Sequence, residues 1–198
     1  MFTGIIETLG NLVSIEDEQR NVHLGIRSSI SNALKVDQSV AHNGVCLTVT
    51  KIEADVHYVT AINETLTKSN IGLLQLNDIL NLERCVQSDG RLDGHIVQGH
   101  VDTTGTCTSV KEEGGSWRFE FKHDKSLDFM TVKKGSITVN GVSLTVVDST
   151  ATSFSVAIIP YTYAHTNFLG LQIGSKVNLE FDIVGKYVAA WLMRRESV

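Results

Sequence analysis

The sequence predicts an all-β protein of two similar small antiparallel barrels, closed or nearly closed, followed by a C-terminal helix. Three observations carry that expectation. The chain repeats itself, each repeat is built from short and evenly spaced β-type runs, and the last stretch changes to helical spacing. Residues 39–50 read SVAHNGVCLTVT and residues 136–147 read SITVNGVSLTVV, with seven of twelve positions identical at an offset of 97. The same offset carries TLTKSNIGLLQLNDILNLE (65–83) onto TYAHTNFLGLQIGSKVNLE (162–180), and GIIETLG (4–10) meets GHVDTTG (99–105) at offset 95. Solenoid units run to roughly 20–50 residues, so a period this long marks a duplicated domain.

The elements follow in order. VHLGI, SVAHNG, CLTVTKI, VHYVTAI and ILNLERC in the first copy, and WRFEF, SITVNG, SLTVV, SFSVAII and KVNLEF in the second, read as strands. They are rich in Val, Ile, Thr and aromatics and are bounded by Gly, Asn, Asp and Ser. Asn43-Gly44 and Asn140-Gly141 each separate two such runs, a strong hairpin signal. ETLTKSNIG and YTYAHTNFLG read as a short helix or turn leading into the next strand. Barrel closure leaves no free sheet edge to aggregate. VQSDGRLDGHIVQGH is punctuated by Gly90, Gly94 and Gly99 and places the boundary near residue 95. The expected units are residues 1–95, 96–183 and 184–198. In the tail IVGKYVAAWLMRRESV, apolar residues at 184, 187, 188, 191 and 192 form one helical stripe. The stripe either caps its own barrel or packs against the same helix of sister chains, where Tyr187 and Trp191 suit an interface.

Composition narrows the function classes. Each copy of about 95 residues is long enough to bury a core. The net charge is −5 and no basic run exceeds two residues, so no nucleic-acid partner is expected. MFTGIIETLG lacks the basic start of a signal peptide, and no apolar stretch reaches the roughly 18–20 residues of a membrane span. Cys46, Cys85 and Cys107 are odd in number and lack CxxC spacing, which argues against a disulfide framework or a zinc site. A reduced, cytoplasmic protein is expected. No HxH or HExxH spacing occurs, so no metal is expected. GxGxxG, P-loop and GxSxG motifs are also missing, which leaves nucleotide hydrolysis and dinucleotide redox chemistry without support.

Three constellations are chemically loaded. In NGVCLTV, strand alternation puts Cys46 and Thr48 on one face and Leu47 and Val49 on the other. Cys46 is then a nucleophile or acid/base candidate with Thr48 as a ligand hydrogen-bond partner, or else a small buried hydrophobe. Ser143 and Thr145 take the same two places in the second copy, and a core-facing pair has little reason to stay polar twice. His100, next to Gly99, is a candidate proton-transfer group and has no counterpart in the first copy, where Ile5 follows Gly4. His42, His57, His95, His123 and His165 lack such context and read as ordinary. Gly4 and Gly99, at equivalent positions, permit close backbone approach to a flat partner. The apolar run from the second residue predicts an N-terminus tied into a sheet.

Together MFTGIIE, NGVCLTVT, GHIVQGHVDTTG, GSITVNGVSLTVV, IPYT and KVNLEFDIVGKY resemble the riboflavin synthase family, α-chain type, in order and from Met1 to about Tyr187. The resemblance implies two six-stranded Greek-key barrels and a C-terminal helix that assembles a homotrimer. It implies a dismutation: two molecules of 6,7-dimethyl-8-ribityllumazine give riboflavin and 5-amino-6-ribitylaminouracil by transfer of a four-carbon unit, without cofactor or metal. The site would lie between the N-terminal barrel of one subunit and the C-terminal barrel of a neighbour, and lumazine synthase is a further partner the resemblance raises. Carried over by motif, the first pocket uses Gly4, Ile5 and Ile6, then Cys46, Leu47 and Thr48, and the segment Thr60, Ala61, Ile62, Asn63, Glu64 and Thr65. The second uses Gly99, His100 and Val101, then Ser143, Leu144 and Thr145, and the segment Ala157, Ile158, Ile159, Pro160, Tyr161 and Thr162. Lys134 matches a substrate-contacting lysine that reaches across the subunit boundary. His100 is the implied proton-transfer group, and Cys46, or a water it positions, the group that adds to C7 of one lumazine. Thr48 and Ser143 join them as catalytic candidates. Asn140 departs from the family, where many members carry Asp. The alternative function is that of a noncatalytic lumazine- or flavin-binding fluorescent protein of the same fold.

Overall fold

The computed structural model describes residues 1–124 and 130–196. Strands β1 (Thr8–Glu18), β2 (Asn21–Arg27), β3 (Ser39–His42), β4 (Val45–Glu53), β5 (Val56–Ala61) and β6 (Ile79–Arg84) close a barrel in the order β1-β2-β5-β4-β3-β6. Helix α1 (Asn63–Lys68) and a 3-10 turn (Asn70–Leu73) lead from β5 towards β6. Strands β7 (Thr103–Glu112), β8 (Trp117–Lys122), β9 (Ser136–Val139), β10 (Val142–Ser149), β11 (Ser153–Ile158) and β12 (Lys176–Phe181) close a second barrel of equivalent topology. Helix α2 (Pro160–His165) and a 3-10 turn (Asn167–Gly170) repeat the earlier connection, and α3 (Ile183–Glu196) ends the chain. Residues 197 and 198 of the expected helix lie outside the described residues. The twin six-stranded barrels and the final helix agree with the expected fold class.

Alternation fills the interiors. Leu24, Ile26, Val40, Leu47, Val49, Val59, Leu80 and Leu82 pack the first barrel. The second is filled by Phe119, Phe121, Phe154 and Phe168 among aliphatics. Strand register slips once in β1 and once in β4, and again at the matching places in β7 and β10. Such bulges bend strands enough to close a small barrel.

The two longest strands, β1 and β7, are not among the runs that the sequence marks. Their inward positions include Gly10 and Gly105, and their remaining residues are largely Thr, Ser, Asn and Glu. The period-2 apolar signal is therefore weak, and closure by neighbouring strands imposes the extended conformation.

Both Asn-Gly pairs form the expected two-residue turns. Asn43 and Gly44 have φ of 47° and 80°, and Asn140 and Gly141 have 45° and 81°, the doubly positive pattern of a type I′ hairpin. The turns meet back to back on a pseudo-two-fold axis. A Cβ on Gly44 would lie 2.7 Å from the Gly141 nitrogen, and one on Gly141 would lie 2.7 Å from the Gly44 nitrogen. Asparagines offset by 97 residues surround this contact and cross-link the barrels in matched pairs. Asn70 N donates to Asn178 Oδ1 (2.6 Å) and Asn167 N to Asn81 Oδ1 (2.8 Å). Asn81 Nδ2 donates to the Asn140 carbonyl and Asn178 Nδ2 to the Asn43 carbonyl, both at 2.9 Å. Replacing Asn178 by alanine strands a buried donor and a buried acceptor, at a cost of about 1–3 kcal/mol each. The expected calorimetric result is a lower Tm and a single transition that broadens or splits as the barrels uncouple.

Helix α3 settles one open alternative. Ile183, Lys186 and Ala189 are half-buried towards the barrel, whereas Val184, Tyr187 and Trp191 are 62, 73 and 57 % exposed. The apolar stripe does not cap its own barrel. Lys186 anchors the helix through a 2.6 Å ion pair with Asp102 in which both side chains are mostly buried.

Candidate functional site

Each barrel wall has a slot. Residue pairing between β4 and β5 runs from Glu53↔Val56 to Val49↔Val59 and stops there. Cys46, Leu47 and Thr48 continue to pair with β3, and Thr60 and Ala61 with β2, so the two strands part while each stays in the sheet. The same opening separates β10 from β11 beyond Val146↔Val156, leaving Ser143–Thr145 on one lip and Ala157–Ile158 on the other. Strand edges that part in this way present main-chain donors and acceptors to a flat polar molecule, the logic of strand addition.

The slots are finished by exchanged segments. The stretch around Gly4 leaves its own barrel and lies on the second, where the Gly4 carbonyl accepts from Ser143 N (2.8 Å). The stretch around Gly99 lies on the first, where its carbonyl accepts from Cys46 N (2.8 Å). The two segments pair with each other where Phe2 N donates to Val97 O and Val97 N to Phe2 O. Val101 packs on the first core and Ile6 on the second. This corrects the grouping expected from sequence. Gly4, Ile5 and Ile6 stand with Ser143, Leu144 and Thr145, and Gly99, His100 and Val101 stand with Cys46, Leu47 and Thr48. A repeat offset relates equivalent residues but does not say which barrel a segment rests on.

In the first slot Cys46 is half-buried, Leu47 is buried inward, and Thr48 is exposed. Burial pushes the Cys46 thiol above its ordinary pKa, against a smaller opposing effect of a hydrogen bond with Ser39. A thiol held protonated donates a hydrogen bond more readily than it attacks. His100, which follows Gly99 in the segment bonded to Cys46 N, is exposed. On the opposite lip, Thr60 Oγ1 lies 2.9 Å from His23 Nδ1, and His23 Nε2 lies 2.8 Å from Glu18 Oε2. Ile62, Asn63 and Glu64 are exposed at the start of α1, and Thr65 is half-buried.

The second slot differs chemically. Ser143 Oγ lies 2.6 Å from His95 Nδ1, whose Nε2 lies 3.2 Å from Thr138 Oγ1. Burial lowers the pKa of His95, opposed by Asp182. Ala157 stands opposite Arg118 where the first slot has Thr60 and His23. Ile158 is buried, Ile159, Pro160 and Tyr161 are exposed, and Thr162 is half-buried. Leu144 is half-buried, Thr145 is exposed, and exposed Lys134 donates its backbone N–H to Val146 O just beyond Thr145. His95 and His23 carry no local signal, since neither spacing nor alternation relates them to Ser143 or Thr60. The repeated Gly-His dipeptide at 94–95 and 99–100 is the one trace of His95.

Both slots are open to solvent. A cavity of about 700 Å³ lies away from both slots, lined by Leu73, Leu74, Leu169, Leu171 and the cross-linking asparagines. Among the described residues, no group of His, Cys, Asp and Glu is arranged to hold a metal ion.

Two barrels with matching slots are the architecture of a tandem lumazine-binding protein, and the family model of the lumazine binding domain matches residues 3–85 and again 98–182. The chain is 40 % identical over its full length to the riboflavin synthase of Actinobacillus pleuropneumoniae, covering 92 % of that protein. It is 39 % identical to that of Bacillus subtilis strain 168, with 97 % of this chain and 90 % of the other aligned. The chain belongs to the riboflavin synthase family. Among solved structures, LumP complexed with riboflavin superimposes with a TM-score of 0.84 at 25 % identity, over 91 % of this chain and 98 % of that one.

Proposed function

We propose that the chain is a riboflavin-forming transferase that dismutates two molecules of 6,7-dimethyl-8-ribityllumazine into riboflavin and 5-amino-6-ribitylaminouracil. The observation that carries the reading is a pair of equivalent slots with unequal chemistry. One presents Cys46 and His100, the other Ser143 and His95. A dismutation needs one compound held in two opposed roles, and two related but unequal slots supply them. Strand edges bind the pteridine ring, and Asn63, Glu64 and the threonine hydroxyls bind the ribityl chain. Lys134 reaches the substrate across a subunit boundary. Stacking the two heterocycles supplies much of the rate through proximity and orientation.

His100 accepts the proton released when the acidic C7 methyl of one lumazine forms its anion. The protonated state of Cys46 favours its role as a hydrogen-bond donor that positions a water for addition at C7 of the other. Replacing Cys46 by serine keeps that donor in a weaker geometry, so turnover falls about tenfold while lumazine affinity, read by fluorescence titration, holds. Wild-type turnover would remove Cys46 from the chemistry. Replacing His100 by glutamine is expected to cost about a hundredfold in kcat.

Two solvent-open slots and an exposed apolar stripe on α3 support a homotrimer in which slots of neighbouring chains close on each other. Tyr187→Glu with Trp191→Glu is expected to give monomers by analytical ultracentrifugation, with activity lost and each barrel still folded. The rival reading, a noncatalytic lumazine or flavin binder, rests on the shared fold of LumP. Purified protein given the lumazine decides between them: the absorbance of riboflavin grows in for a synthase, and the lumazine spectrum persists for a binder.

A further inference from the structure

We propose that Glu180 is a positioning residue for the first slot, a carboxylate supplied by the second barrel that holds His100 and Cys46 in register. The inference rests on the dismutase reading for its kinetic consequence but not for its geometry. Glu180 is 3 % exposed. Its Oε1 accepts from Gln98 N (2.7 Å), and its Oε2 accepts from Gly99 N (2.9 Å) and His100 N (3.0 Å). Three successive backbone donors therefore converge on one buried carboxylate. Gly99 then passes its carbonyl to Cys46 N, so the segment is clamped between Glu180 on one side and the Cys46 strand on the other.

The clamp is built twice. Glu83, the residue 97 positions earlier, is 6 % exposed and accepts from Thr3 N (2.6 Å), Thr3 Oγ1 (2.7 Å) and Gly4 N (2.9 Å). Each carboxylate thus sits in one barrel and fixes the segment that completes the other barrel's slot. The two clamps differ in what they hold. Glu83 fixes no titratable side chain, whereas Glu180 fixes the backbone of His100. Only the Glu180 side continues into α3. Asp102, two residues past His100, accepts from Phe181 N (2.8 Å) and pairs with Lys186. The equivalent carboxylate in the first barrel, Glu7, pairs instead with Arg84 at the surface.

A glutamine at 180 replaces one acceptor oxygen with an amide N–H₂ that faces a backbone donor. The segment must then retreat from Glu180, and the Gly99 contact with Cys46 loosens with it. Displacement of a catalytic group by about 1 Å costs up to a hundredfold in rate.

The test compares Glu180→Gln with Glu83→Gln, two changes that remove the same kind of bond at pseudo-equivalent sites. The full-length protein is treated with iodoacetamide and the alkylation of Cys46 and Cys85 is followed by mass spectrometry, alongside kcat, KM and the pH profile with lumazine. Expected for Glu180→Gln is faster alkylation of Cys46, by fivefold or more, with Cys85 unchanged, a kcat at least tenfold lower and a distorted neutral limb of the pH profile. Glu83→Gln is expected to leave Cys46 alkylation at the wild-type rate. Equal acceleration in both variants, or wild-type alkylation and kcat in a folded Glu180→Gln, overturns the proposal. If Glu180→Gln does not fold, Glu180→Asp keeps the charge while withdrawing it by one methylene, and the same comparison applies. The alkylation readout needs no turnover, so a protein that never forms riboflavin refutes the dismutase reading and leaves the clamp testable.

Discussion

Alanine at position 99 is expected to cost about 3 kcal/mol of stability and about a hundredfold in kcat/KM. Two effects add. Gly99 has φ of +80°, where an L side chain is strained. Its new methyl would also lie 2.6 Å from Cys46 Cβ and 2.8 Å from the Phe2 ring. Both neighbours are held, Cys46 by the β3 and β4 pairing and Phe2 by complete burial, so neither yields cheaply. The crossing segment must move away from the first slot and carry His100 with it. Gly174 separates the two effects, because it has φ of +94° and a methyl added there would meet nothing within 4 Å. Gly174→Ala is expected to lose about 1 kcal/mol, by urea denaturation, with unchanged turnover. Equal losses in the two variants would mean that backbone strain alone explains Gly99.

Acid is expected to weaken the first barrel, by about 4 kcal/mol between pH 7.5 and pH 5. His42 and His57 are both fully buried, with Nε2 atoms 2.9 Å apart. His42 Nδ1 donates to the Val40 carbonyl, so a neutral His42 accepts at Nε2 from His57, whose Nδ1 accepts from Ser31 Oγ (2.8 Å). The chain of bonds is complete while both rings are neutral: a proton added at His42 Nε2 sets two N–H groups against each other, and one added at His57 Nδ1 forces the Ser31 hydroxyl to turn away. Burial lowers His42 to about 3 and His57 to about 4, from an ordinary 6.5. Folded pKa values below the unfolded ones mean that the unfolded chain takes up more protons in acid. The stabilisation is therefore complete above pH 6.5 and is lost as the pH falls towards 4 and 3, by about 2 kcal/mol per histidine at pH 5. The second barrel carries Val139 and Phe154 at the equivalent positions. The double variant His42→Val, His57→Phe is expected to flatten the pH dependence of the urea midpoint. A pH slope unchanged from wild type would place the acid sensitivity elsewhere.

These residues mark where the sequence was legible. The duplication, the Asn-Gly hairpins and the strand alternation around Cys46 and Ser143 are local patterns, and local patterns are what a single chain displays. His42 and His57 read as ordinary because their partnership spans two strands with no shared motif. The asparagine cross-links were hidden for the same reason: Asn70 and Asn178 are 108 positions apart and meet only on the pseudo-two-fold axis. The candidate site was legible as a set of residues but not as a pairing. Which half of the chain finishes which slot depends on a crossing at Phe2 and Val97, and no periodicity encodes a crossing.

That crossing bears on ancestry. Two self-contained modules joined end to end would each keep their own leading segment. Reciprocal lending of segments is instead the arrangement that tandem fusion of a symmetric, segment-exchanged homodimer would leave. In such a dimer a single codon change alters both cups at once, so donor and acceptor can never differ. Fusion releases that constraint, and the thiol on one side facing a hydroxyl on the other is the kind of divergence it allows.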